Sequence, residues 1–154
     1  MSIRKIPSNT SSFVFYNANP KNGRSADCVA RAICVAVNKS WEQVIREMTE
    51  LGISHGKVFN EDWTIDNYLK QNGFIKHKQP RKDDNTKYTG REWCKHLSIN
   101  DKDGRLGTIV ANIGGHHTVC IKPTNSEDGF NCRYKILDTW DSSNGCIGNY
   151  WIKK

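Results

Sequence analysis

No stretch of this 154-residue chain approaches the ~18 consecutive apolar residues that a membrane-spanning helix needs. The opening from Met1 to Thr10 is polar and basic and lacks the apolar core of a signal peptide. No Cys-x-x-Cys pair occurs among Cys28, Cys34, Cys94, Cys120, Cys132 and Cys146, and Cys94-Lys95-His96 is too little for a zinc site. An even count of cysteines would allow disulfides. Without a secretion signal, reduced thiols in a cytoplasm are the expectation, with no metal and no cofactor. Internal repeats and low-complexity linkers are absent too, so one domain over 1–154 is expected.

What is present is enough apolar material for a core: 36% hydrophobic and 10% aromatic residues mark a folding chain rather than a disordered one. The formal charge of +7 raises the question of an acidic partner such as nucleic acid. The basic residues are scattered, and the densest run, Lys76 to Lys87, also holds Asp83 and Asp84. That run reads as a solvated loop, and a protein or peptide partner is favoured over nucleic acid or membrane.

Along the chain, Phe13-Val14-Phe15-Tyr16 reads as a first strand or extended lead-in, and Asn17 to Gly23 as a loop. Ser25 is a plausible cap for a helix from about Ala26 to Val37, with Val29, Ile33, Ala36 and Val37 inward. Ser40-Trp41-Glu42-Gln43 has the form of a capping box, opening a helix that Gly52 ends. Residues 53–62 look irregular. A third helix is expected over Trp63–Gln71, and Thr89-Gly90-Arg91-Glu92 opens a fourth through about Leu97. The character then changes to β-prone runs at Thr108–Ile113, Thr118–Lys122, Arg133–Leu137 and Cys146–Ile152, with a hairpin loop at 125–129. Helices first (about 17–98) and antiparallel strands last (about 107–154) predict an α+β fold, with a substrate cleft between the halves and specificity in the block 53–107.

Three segments carry candidate chemistry. Cys28 falls in the first turn of its helix, where unpaired N–H groups and the positive end of the dipole favour a thiolate. Cys34 lies mid-helix and reads as core. Asn22, six residues before Cys28, could aim its amide at the same point as the Cys28 N–H and form an oxyanion hole, with Asn19 as a substitute. His116 and His117 follow Gly114-Gly115 and precede a strand. Adjacent strand side chains oppose each other, so at most one of the two can face Cys28. His117, in phase with Val119 and Ile121, is preferred as the base, and His116 is the alternative. Asp138 closes an apolar strand and could accept the imidazole Nδ1–H, with Asp141 as the other choice and Trp140 as a shield over the pair.

Asp27-Cys28-Val29-Ala30-Arg31-Ala32-Ile33, the Gly-His strand and Asp138-Thr139-Trp140-Asp141 together resemble the papain-like cysteine peptidase superfamily. More narrowly they resemble small bacterial and phage proteins related to the bacteriocin-processing peptidases. The resemblance implies Cys28 as nucleophile, His117 as base and Asp138 as the orienting group. It also implies a nucleophile helix packed on a C-terminal antiparallel sheet and, for a phage-encoded member, a bacterial host cytoplasm. Asp138-Thr139-Trp140 stands where papain-like enzymes carry Asn-Ser-Trp, and Asn22 where they usually carry the longer Gln.

Three functions follow as expectations. One is a thiol hydrolase cutting a peptide or isopeptide bond. Another is a transglutaminase-like or acyl-transfer reaction through the same thioester. The last is a catalytically silent binding protein on a peptidase fold, occluding a host protein or nucleic acid.

Overall fold

The first four N–H groups of a helix need acceptors from outside its own ladder, and Thr89 supplies one. Its Oγ1 accepts from the Glu92 N–H (3.2 Å), while the Glu92 carboxylate accepts from the Thr89 N–H (2.9 Å). This complete capping box starts the helix Gly90–Asn100. At Ser40 only half of the expected box forms. Ser40 accepts from the Gln43 N–H, but the Gln43 side chain turns along the helix to Glu47.

The computed structural model describes residues 5–22, 25–125 and 132–153. Of the expected Asn17–Gly23 loop, Gly23 lies outside the described residues. So does the 125–129 hairpin loop apart from Asn125. The elements run β1 (Phe13–Phe15), α1 (Cys28–Val37), α2 (Trp41–Ile53), α3 (Asp62–Gln71), β2 (Phe74–His77), α4 (Gly90–Asn100), β3 (Ile109–Ile113), β4 (His117–Pro123), β5 (Tyr134–Asp138) and β6 (Ile147–Lys153). The class is α+β, with one six-stranded sheet in the order β1-β5-β4-β3-β6-β2. No helix among the described residues is long and apolar enough to cross a membrane.

The sheet departs from expectation in two ways. It is mixed rather than antiparallel, because β1 pairs parallel to β5, with Phe15 opposite Asp138. It also takes β2 from the half expected to be helical; β1 is the strand expected over Phe13–Tyr16. β2 forms the far edge, antiparallel to β6, and its last two residues, Lys76 and His77, fall in the run read as a solvated loop. Only Phe74 of its four residues is buried, so no alternation betrays the strand.

β3 is buried on both sides, and its side chains divide the interior. Ile109, Ala111 and Ile113 pack with Trp93, Cys94 and Leu97 of α4. Val110 faces the other way, into a cluster with Val29 and Ile33 of α1, Val44 and Met48 of α2, and Leu69 of α3. Helices therefore cover both faces of the sheet: α1 to α3 on one, α4 on the other. Full burial of each such aliphatic side chain is worth about 1.5–3 kcal/mol.

Gly52 was expected to end α2. The helix continues through Ile53, and Gly52 serves a close approach instead. Its carbonyl accepts from the Lys57 N–H (2.8 Å), and a Cβ placed on it would stand 2.4 Å from the Lys57 carbonyl oxygen. That oxygen is backbone and cannot rotate away. Gly52→Ala is therefore expected to destabilise by about 1–2 kcal/mol: overpacking costs about 1–3, and the better helix propensity of alanine returns up to about 1. Urea denaturation midpoints check this, and a midpoint at or above that of the unaltered protein would refute the contact.

Candidate active site

Cys28 is the first residue of α1, two residues later than the expected start. The cap position falls to Asp27, not Ser25, and Asp27 makes no side-chain cap bond there. Its carboxylate is turned inward instead, accepting from Asn19 Nδ2 (3.1 Å), Trp41 Nε1 (2.9 Å) and the Arg31 guanidinium. The helix N-terminus thus carries no capping side chain, and no acidic residue stands in the first turn. An anion beside Cys28 has the positive end of the dipole to itself.

Burial pushes the Cys28 thiol up. A side-chain hydrogen bond with His117, the Thr118 N–H, and the charges of His117 and Arg31 outweigh it and hold the thiol below its ordinary value. Cys34, Cys94 and Cys120 go the opposite way. Burial pushes Cys34 up to about 11 and Cys120 to about 12. All six are free thiols, and Cys146 is exposed.

His117 is brought to Cys28 by the end of a strand rather than by strand phase. Gly114 and Gly115 turn the chain from β3 to β4 with φ of 62° and 89°, which side-chain-bearing residues rarely adopt. His116 is left exposed in that turn, and His117 begins β4. Val119 and Ile121, in phase with His117, pack with α4, on the face away from α1. The expected alternation therefore named the residue that meets Cys28, by an argument that does not carry its ring there. The ring reaches the sulfur because it sits at the strand's first position, where the start of α1 arrives.

Asp138 ends β5 and is 4% exposed. Its Oδ2 lies 2.5 Å from His117 Nε2, while Oδ1 accepts from the Thr139 N–H (2.7 Å) and Arg31 Nη2 (3.3 Å). The sequence reading assigned Asp138 to Nδ1. The structure pairs it with Nε2, which leaves Nδ1 for the Cys28 sulfur. Burial pulls the His117 pKa down, but its bonds to Asp138 and Cys28 and their charges raise it to about 9. Both shifts favour the charged forms, a cationic His117 beside an anionic Cys28.

Trp140 lies over the imidazole, ring centroids 4.8 Å apart, while remaining 44% exposed. It covers one face of the ring against water. Asp141 is used locally, accepting from the Ser143 N–H (3.0 Å).

The oxyanion candidates are placed differently. Asn19 is buried, with its amide given to Asp27 and its Oδ1 to the Lys21 N–H, so it is no substitute donor. Asn22 is exposed, has a left-handed backbone (φ 53°), and lines a cavity of about 620 Å³ together with Ser25, Arg31, Thr139 and Trp140. That cavity takes none of its lining from 53–107, the block expected to hold specificity; its outer wall comes from Lys5, Ile6 and Pro7.

Two residues at the site are foreshadowed only as members of the Asp27–Ile33 motif, with no function attached: Arg31, linked to both Asp27 and Asp138, and Asp27 itself, 2% exposed. The i,i+4 spacing of Asp27 and Arg31 was the available signal. Among the described residues, no group of three or more His, Cys, Asp or Glu side chains is arranged to hold a metal ion. Comparison with protein-family models, with curated proteins and with solved structures finds no match for this chain.

Proposed function

We propose that this protein is a thiol hydrolase of papain-like type, opening a peptide or isopeptide bond by acyl transfer through Cys28. The observation that carries the reading is the contact chain Cys28–His117–Asp138 at the start of a helix. The order of parts also supports it: nucleophile helix first, then the histidine strand, then the carboxylate strand beside it in one sheet.

The chemistry follows from the charge state. The Cys28 thiolate attacks the carbonyl carbon, and the oxygen becomes an oxyanion. The Cys28 N–H at the helix start is one donor for it, and the Asn22 amide is the second on this reading. The imidazolium of His117 gives its Nδ1 proton to the departing amine, the C–N bond breaks and a thioester remains. Water then attacks the thioester with His117 as base, releasing the acid and restoring the thiolate. Asp138 holds the ring throughout by its bond to Nε2. The cavity beside Trp140 is of a size to take one or two substrate residues.

The test is the pH profile of iodoacetamide labelling, mapped by peptide mass. Cys28 should label first and well below the ~8.5 of an ordinary thiol, ahead of the exposed Cys146. A Cys146 that labels faster at pH 7, with Cys28 titrating as an ordinary thiol, would sink the hydrolase reading in favour of a silent binding protein.

A further inference from the structure

Arg31 stands one turn after Cys28 on α1, and its guanidinium spans two buried carboxylates. Nη1 bonds to Asp27 Oδ1, and Nη2 lies 3.3 Å from Asp138 Oδ1, on the carboxylate oxygen opposite the one that holds His117. Its Nε is buried with no hydrogen-bond partner. Leaving a guanidinium N–H unmet is a cost, so this arrangement is not the one that best satisfies the arginine. It is the one that joins the two carboxylates. Asp27 is itself fixed from outside α1, by Asn19 in the preceding loop and by Trp41 at the start of α2.

We propose that Arg31 is a positioning residue for the site: anchored by Asp27, it clamps Asp138 and so holds the His117 ring in line with the Cys28 sulfur. The inference rests on reading Cys28, His117 and Asp138 as the reacting unit. Asp138 is the last residue of its strand and precedes a bend, so without the clamp its carboxylate is restrained by the Thr139 N–H and by the very histidine it must orient. The planar fork of arginine can bridge two carboxylates at fixed angles, whereas an ammonium meets them as a point charge. The charged groups meeting here are Asp27 at the cap of α1, Arg31 on α1, His117 on β4, Asp138 on β5 and the Cys28 thiolate.

Lysine separates positioning from charge, because it keeps the cation and loses the fork. The experiment is the pH profile of Cys28 iodoacetamide labelling in the full-length chain, for the unaltered protein, Arg31→Lys, Arg31→Gln and Asp27→Asn. Near-ultraviolet circular dichroism verifies that each is folded. The expected result is a labelling midpoint moved up by about half a pH unit or more in both arginine variants, roughly a threefold loss of thiolate on the rising limb. Asp27→Asn, which leaves Asp138 and Arg31 in place but loosens the anchor, should move it the same way by less.

An Arg31→Lys profile that superimposes on that of the unaltered protein overturns the inference, since the charge alone would then suffice. Should the Arg31 variants fail to fold, an unchanged Asp27→Asn profile overturns it equally. If Cys28 in the unaltered protein titrates as an ordinary thiol, the hydrolase reading fails and the clamp has nothing to position. If it is activated there and the variants match it, the clamp alone is wrong.

Discussion

His117→Ala slows alkylation of Cys28 at pH 7 by about tenfold or more. A thiol of pKa ~8.5 is about 3% ionised at that pH, whereas one paired with an imidazolium is largely ionised, a difference of about 30-fold. The paired thiolate is intrinsically a weaker nucleophile, which returns a factor of a few. Burial of Cys28, which pushes its thiol up, is unopposed by the ring in the variant and deepens the loss. The pair also has a pH window. His117 is raised from 6.5 to about 9, so its contribution to stability is full below ~6.5 and is lost as pH rises through about 9. Cys28 is lowered, so its contribution is lost as pH falls through its depressed value. Between those limits the ion pair is intact. Equal labelling rates at pH 7 for the unaltered protein and His117→Ala would remove the imidazole from the account.

Asp138→Ala destabilises the fold by about 3–5 kcal/mol, the usual consequence of deleting one side of a buried, hydrogen-bonded charge pair. Asp138 accepts from His117, Arg31 and the Thr139 N–H, and it is nearly inaccessible. Its loss leaves a guanidinium balanced by Asp27 alone and an imidazolium without its carboxylate. Asp138→Asn should cost less, about 1–3 kcal/mol. Its oxygen can serve one of the two side-chain donors, but its amide N–H₂ must then face the other. In a thiolate–imidazolium pair an amide oxygen is a sufficient acceptor, so Asp138→Asn should keep faster Cys28 labelling than Asp138→Ala. Denaturation midpoints within about 1 kcal/mol for all three proteins would show that the carboxylate lies in a wetter setting than its burial indicates.

The helix starts were legible where a side chain both caps and faces solvent. Thr89 and Ser40 do so, and both helices begin where their hydroxyls said. The start of α1 was misplaced because Asp27, at the cap position, turns its carboxylate into the interior to meet Asn19, Trp41 and Arg31, and nothing in a local window reports partners 8 and 14 residues away. β2 was hidden for the opposite reason. Phe-Ile-Lys-His has one buried residue and three exposed ones, and its strand state is imposed by pairing with β6. β1 was legible as an apolar run, but its parallel pairing with β5 is set by topology.

At the site, residue types and chain order led to Cys28, His117 and Asp138, which the fold brings together. Which imidazole nitrogen meets the carboxylate was beyond the sequence, because it depends on how the ring leaves the end of β4. Arg31 was visible only as half of an i,i+4 pair on one helix; its second partner belongs to a different element.

That second partner is 107 residues further along the chain. Contacts of such sequence separation close late, since the loop entropy must be met before the contact rewards it. α1 is made of local contacts, but the groups that ionise its first residue stand on β4 and β5, and β5 is the next-to-last strand of the chain. A growing or half-folded polypeptide therefore carries at Cys28 a thiol no more reactive than its neighbours. On the proposed hydrolase reading, the nucleophile is therefore armed only when the sheet is complete.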